Sequence, residues 1–133
     1  MSLPDINTLS SVVYQFFRGL DSRNNEAVAG LMARNGVWIR QGVPLQGPDA
    51  VRQALEQRDP ERHTAHLVTN LWVEQSTEST ARVHFYMTAF ETKPDMPAPQ
   101  MLGVRDSVDE LVLEDGFWRI ARKESRRILP HEA

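Results

Sequence analysis

The stretch VRQALEQRDPERHTAHLVTN, residues 51–70, is where the chain changes period. On its N-terminal side Val51, Ala54 and Leu55 keep the spacing of a helix face, and that helix ends before Pro60. From His63 onward no helical period survives. The remaining half reads as strands at about residues 64–75, 79–91, 101–114 and 117–129. Helices therefore precede sheet.

Toward the N-terminus, Gly47-Pro48-Asp49 opens this third helix, with proline placed where a missing N–H costs nothing. Before it lie a turn at Gly42 to Pro44 and a β-rich run from Val37 to Arg40. Further upstream, Leu9, Val12, Val13, Phe16, Phe17 and Leu20 form one stripe of an amphipathic helix. A second short helix carries Ala27, Val28, Leu31 and Met32 on one side and is expected to stop near Asn35-Gly36. Toward the C-terminus, the strands are separated by Gln75 to Glu78, by the hairpin turn Glu114-Asp115-Gly116, and by Lys93 to Gln100 with its three prolines. Consecutive strands should pair antiparallel. Three helices followed by long strands predict an α+β fold, a strongly curved antiparallel sheet wrapped around the helices.

At 133 residues the chain has room for one core, so residues 1–133 are expected to form a single domain. A net charge of -3 offers no general basic field for nucleic acid, although a local basic cluster remains compatible with it. No apolar run approaches the roughly 20 residues of a membrane span, and MSLPDINTL lacks the features of a signal peptide. The expected location is cytoplasmic, with no membrane partner. The absence of cysteine removes disulfides, thiolate metal sites and a cysteine nucleophile, leaving His, Asp, Glu, Tyr, Ser and the basic residues for chemistry.

One more step of four along the stripe Leu9, Val13, Phe17 lands on Asp21, a carboxylate where periodicity predicts a core residue. Asp21 either points inward or ends the helix as a solvated turn residue; the pattern allows both. A partner for an inward Asp21 is available at the start of the first long strand, where His63 and His66 stand three apart. An odd separation sends strand side chains to opposite faces, so the two cannot easily share a metal, and no metal site is expected. One of the two histidines should face the interior.

Phe17-Arg18-Gly19-Leu20-Asp21, Gly36-Val37-Trp38-Ile39-Arg40-Gln41-Gly42, Gly47-Pro48-Asp49-Ala50 and His66-Leu67-Val68-Thr69-Asn70 occur in the order found in SnoaL-like domains. The chain resembles that part of the nuclear transport factor 2-like superfamily over roughly residues 8–129. It is particularly similar to the branch with hexachlorocyclohexane dehydrochlorinase, bile-acid 7α-dehydratase and scytalone dehydratase. The resemblance implies a cone-shaped, cystatin-like α+β barrel with a pocket between sheet and helices. It places Asp21 and His66 at the positions of that branch's Asp-His catalytic dyad, in which the carboxylate orients an imidazole base. It puts Phe16 where relatives carry a tyrosine or lysine, with Tyr14 as the available substitute. Phe17 belongs to the same segment and joins the expected substrate-binding set. Trp38 falls where the dehydrochlorinase has a pocket tryptophan. Lys123 and Arg127 fall where relatives place an arginine.

On the last strand, alternation sets Arg119, Lys123 and Arg127 on one face and Trp118, Ile120 and Ile128 on the other. Patterning alone turns the apolar face inward. In the resembling enzymes the tryptophan parity faces away from the pocket, often toward a partner subunit. That parity brings Arg105, Ser107, Lys123 and Arg127 around Asp21 and His66, suits an anionic or aromatic small molecule, and leaves Trp72, Trp118 and Ile120 on an outer face for a homodimer. The expected function is a lyase or isomerase without cofactor, using His66 as general base and Asp21 as its partner. An alternative is a non-catalytic binding or assembly module, because His66 to Asn70 is also similar to the small subunits of ring-hydroxylating dioxygenases.

Overall fold

Asp5 starts the first helix by accepting a hydrogen bond from the Thr8 amide at 2.9 Å, and α1 runs Ile6–Asp21 in the computed structural model, which describes residues 2–131. Asn24 caps the short α2, Asn25–Gly30, in the same way. The chain continues through β1 (Met32–Arg40), β2 (Val43–Gln46) and α3 (Gly47–Glu56), the last with Pro48 in its first turn. Four long strands follow: β3 (His63–Ser76), β4 (Thr80–Thr92), β5 (Gln100–Glu114) and β6 (Phe117–Leu129). Their ends lie within one residue of those read from turn chemistry.

The six strands form one sheet in the order β2-β1-β6-β5-β4-β3, antiparallel throughout except where β1 runs parallel to β6. This is the expected α+β arrangement, with the sheet curved around the helices. Helix α1 packs on β3, β4 and β6, and α3 packs on β1. The core between them holds Leu9, Val13, Phe16 and Leu20 from α1, Val28 from α2, and Val83, Phe85, Leu111 and Ile120 from the sheet. Among the described residues no helix is long and apolar enough to cross a membrane.

Two expectations about the first half need correction. The second helix ends at Gly30 rather than near Gly36, because the Leu31 carbonyl accepts the Ile120 amide at 2.8 Å and Met32 enters the sheet opposite Ile120. Pairing with a strand almost ninety positions away overrides a helical pattern that Leu31 and Met32 would otherwise continue. Gly36 is a point of close approach instead of a helix stop: a Cβ there would lie 2.3 Å from the Ile120 carbonyl oxygen. The turn ahead of β2 is likewise shorter than expected, since Val43 and Pro44 already pair with Arg40 and Ile39.

The parity of β6 is also not the simple alternation. Leu111 pairs with Ile120 but Glu110 pairs with Arg122, so Ala121 is an extra residue and the strand changes face there. Ile120 is consequently fully buried in the core, while Lys123 faces the interior as well. Trp118 packs partly buried against the same core. The outer face proposed for dimerisation through Trp72, Trp118 and Ile120 is therefore not assembled from those residues; Trp72 alone is exposed, stacked on His84.

Phe16 has no exposed surface, and its ring meets Phe17 and Trp38 edge-on at 5.5 and 5.0 Å. Truncation there should leave a cavity that the crossing of α1 over β1 and β6 cannot close. Phe16→Ala is expected to lower unfolding stability by about 3–5 kcal/mol in urea titrations, with Phe16→Leu losing much less.

Candidate active site

Asp21 is the last residue of α1, and the helix stripe carries its side chain inward rather than into the following turn, which Ser22 caps through its backbone. Both carboxylate oxygens are occupied. Oδ1 accepts from the Thr64 hydroxyl at 2.9 Å and meets His66 Nδ1 at 2.6 Å, while Oδ2 accepts from the His66 backbone amide at 2.9 Å. A carboxylate can only accept, so Nδ1 carries the imidazole proton and Nε2 is the nitrogen with a free lone pair. The Phe17 ring lies 5.2 Å from the imidazole, tilted by 32°, and steadies its plane.

His66 lines a cavity of about 260 Å³ whose walls include Phe17, Leu20, Trp38, Leu55 and Met87. That volume sits just below the roughly 300–1,000 Å³ of ordinary ligand pockets, so the space suits a small molecule. Burial is the largest influence on the imidazole and pulls its pKa below the usual 6.5. The bond and charge of Asp21 oppose that shift, while the Arg58 and Arg62 charges add to it. The ring is therefore neutral and able to accept a proton at neutral pH. His63, on the opposite face of β3, is exposed. Among the described residues no group of three His, Asp or Glu side chains is placed to hold a metal.

Of the other residues read from the sequence, Phe17, Trp38, Arg105, Lys123 and Arg127 all line this cavity. Tyr14 does not. It is one position past Val13, about 100° round the helix from the inward stripe, and is 49% exposed. It cannot replace the polar group that Phe16 lacks.

Lys123 is present but not free. Its ammonium is 3.1 Å from each oxygen of Asp109, and it sits 4.3, 4.6 and 5.1 Å from the ring centres of Phe16, Phe17 and Phe85. Lys123 is 5% exposed and Asp109 is fully buried. Burial lowers the lysine pKa and raises that of the aspartate, each opposed by its partner. Arg105 is held by Ser125, donating to its hydroxyl at 2.6 Å and its carbonyl at 3.2 Å. Arg127 stands opposite Arg105 across the β5–β6 ladder and donates to the Pro130 carbonyl at 2.8 Å.

The sequence reading missed Asp109, Thr64 and three cavity arginines, Arg40, Arg58 and Arg62. Asp109 was findable, because it continues the inward parity of Arg105 and Ser107 by one more step of two. Arg40 shares the parity of Trp38. Arg58 and Arg62 come from an irregular connection, where no period assigns a direction.

The SnoaL-like domain profile matches residues 1–124, nearly the whole chain. The chain belongs to the SnoaL-like domain family. No curated protein matches it at a significant level. Among solved structures it is similar to a putative scytalone dehydratase from Novosphingobium aromaticivorans, with 21% identity, a TM-score of 0.81, and coverage of 92% of this chain and 83% of that one. A Catenulispora acidiphila protein in complex with S-DNPA has 21% identity and a TM-score of 0.79 over 93% of both chains. A nuclear transport factor 2-like protein with a cystatin-like fold, also from Novosphingobium aromaticivorans, has 17% identity and a TM-score of 0.80 over 93% of this chain and 82% of that one. At these identities the likeness establishes a shared SnoaL-like, cystatin-like fold.

The buried pair makes a direct test of the cavity floor. Asp109→Asn strands the Lys123 ammonium among three aromatic rings and is expected to cost about 3–5 kcal/mol of stability. The double change Asp109→Leu with Lys123→Met should recover most of that loss in the same denaturant titration.

Proposed function

We propose that this SnoaL-like protein is a cofactor-independent lyase or isomerase of small molecules, with His66 as general base and Asp21 as the group that orients it. The observation carrying the reading is the 2.6 Å bond between Asp21 Oδ1 and His66 Nδ1 on the wall of a small cavity. In such a reaction Nε2 takes a proton from a carbon acidified by a neighbouring electron-withdrawing group. The electron pair released from that C–H bond forms a double bond. In an elimination it expels a leaving group from the adjacent carbon; in an isomerisation the imidazolium returns the proton to a different carbon. Asp21 stabilises the imidazolium while it exists, and the tautomer it imposes keeps Nε2 proton-free beforehand.

The solved neighbours support small-molecule chemistry in this fold, one being a putative scytalone dehydratase and another holding S-DNPA. The same cavity could serve binding alone, and proton exchange separates the two uses. Acidic and aromatic small molecules that raise the melting temperature are incubated in D₂O, and loss of their C–H signals is followed by NMR. The wild type is expected to exchange a ligand proton about 10² to 10⁴ faster than His66→Ala. Asp21→Asn should fall in the same direction, because an amide N–H facing Nδ1 favours the tautomer with the proton on Nε2. Exchange at the wild-type rate in His66→Ala would remove the basis of the proposal.

The pH dependence follows from the lowered imidazole pKa. Only the neutral ring accepts a proton, so the exchange rate should be level above pH 6.5 and fall as pH drops through the His66 pKa, which lies below 6.5. Measured at subsaturating ligand, where the rate reports the unliganded protein, an acid limb centred above 6.5 would contradict a base desolvated in this way.

A further inference from the structure

Three guanidinium groups, those of Arg40, Arg58 and Arg62, line the cavity, and the proposed chemistry does not use them. Arg58 donates from Nη1 to the Leu20 carbonyl at 2.9 Å and from Nη2 to the Thr64 hydroxyl at 3.3 Å, the same hydroxyl that donates to Asp21. Arg62 is paired with Glu91. Arg40 lies 5.6 Å above the Trp38 ring, and among the described residues its guanidinium has no carboxylate or hydrogen-bond partner. All three are half-buried.

Holding such charges together away from water is unfavourable without a counter-charge. Burial and the Arg62 charge weaken the proton affinity of Arg40; burial and the charges of Arg23, Arg62 and Arg40 do so for Arg58. The nearby carboxylates do not balance the group. Asp59 faces Lys93 at 3.8 Å, leaving Glu91 on Arg62 and Asp21 beside Arg58 to set against three cations. Positive charge is in excess, and Arg23 adds to it from the same corner. The rim is also built rather than accidental: Arg23 donates to the Asp59 and Arg62 carbonyls and fixes the connection between α3 and β3 from which Arg58 and Arg62 project.

We propose that Arg40, Arg58 and Arg62 form a monocarboxylate-binding rim beside His66, so that the substrate carries one carboxylate against these guanidiniums and lays its apolar remainder along Phe17, Leu20 and Leu55. This rests on the reading of the cavity as a substrate site and narrows the substrate class. Planar guanidinium forks match the flat, two-oxygen geometry of a carboxylate.

The test uses benzoate, neutral benzamide and phenyl phosphate as probes in isothermal titration calorimetry. Wild type should bind benzoate at least tenfold more tightly than benzamide, and no more weakly than phenyl phosphate. Arg40→Gln, which breaks no side-chain hydrogen bond, should weaken benzoate by about ten- to a hundredfold and leave benzamide unchanged. Arg58→Gln, verified as folded by its melting curve, should act in the same direction. Arg105→Gln, whose guanidinium is held by Ser125, should matter much less. His66→Ala is expected to keep the preference for benzoate, so failure of the general-base reading and failure of the carboxylate rim give different results. Equal binding of benzoate and benzamide, tighter binding of phenyl phosphate, or a loss that follows Arg105→Gln instead of Arg40→Gln would overturn the proposal.

Discussion

The Asp21 carboxylate is the joint on which the site depends. It lies at the C-terminal end of α1, where the helix dipole already presents negative charge and an anion is unfavourable. What holds it there is the number of donors it receives: the Thr64 hydroxyl, the His66 amide and the His66 ring all come from the first residues of β3. Arg58 adds a positive charge to the same corner and donates to the Leu20 carbonyl of the last helical turn. The end of α1 is thereby locked to the start of β3. The same bonds that secure the helix on the sheet fix the tautomer of the candidate base, so tertiary packing and the protonation geometry of the site are a single feature.

A second constraint is the extra residue in β6. Before Ala121 the strand contributes Ile120 to the core under α1, and after it Lys123 and Arg127 turn to the cavity. The bulge switches the inward-pointing parity, so that Ile120 before it and Lys123 and Arg127 after it all face the interior. The opposing element accommodates this at Gly36, where the β1 backbone comes too near the Ile120 carbonyl for any side chain, and where the β1–β6 register also shifts. The irregularities of the two parallel neighbours therefore coincide, at the boundary between core and cavity.

These features explain what could be read from the sequence. The stripe of α1, the proline at the start of α3, the turn at Glu114 to Gly116 and the change of period near Pro60 are local properties, and each appears in the structure where the local pattern puts it. Asp21 was visible as a polar residue one step further along the helix stripe, while alternation required only that either His63 or His66 face inward and the family resemblance singled out His66. The end of α2 was not legible, because the Leu31 carbonyl is claimed by Ile120 across the sheet. The burial of Ile120 was hidden for a related reason, since alternation carries information only until a bulge inserts a residue. Arg58 and Arg62 emerge from a connection without period, so their approach to Asp21 exists only once β3 has docked on α1.

The overall charge of -3 likewise gives no indication of the field inside the cavity. Lys123, the cation that the sequence pattern marked for a ligand, is neutralised by Asp109 beneath three aromatic rings and works as part of the floor. Excess positive charge lies instead on Arg40, Arg58 and Arg62, the last two close enough to act on His66. The distinction is one of partners rather than residue type. A cation sealed against its own carboxylate contributes little field to a ligand, whereas half-buried guanidiniums with too few carboxylates act on whatever enters. Of these, Arg58 and Arg62 lower the proton affinity of His66, as its burial does, while Asp21 raises it. An anion settling on the rim would reduce that opposing term, so binding and base strength would rise together, and the arginines would link what the cavity admits to how readily His66 takes a proton.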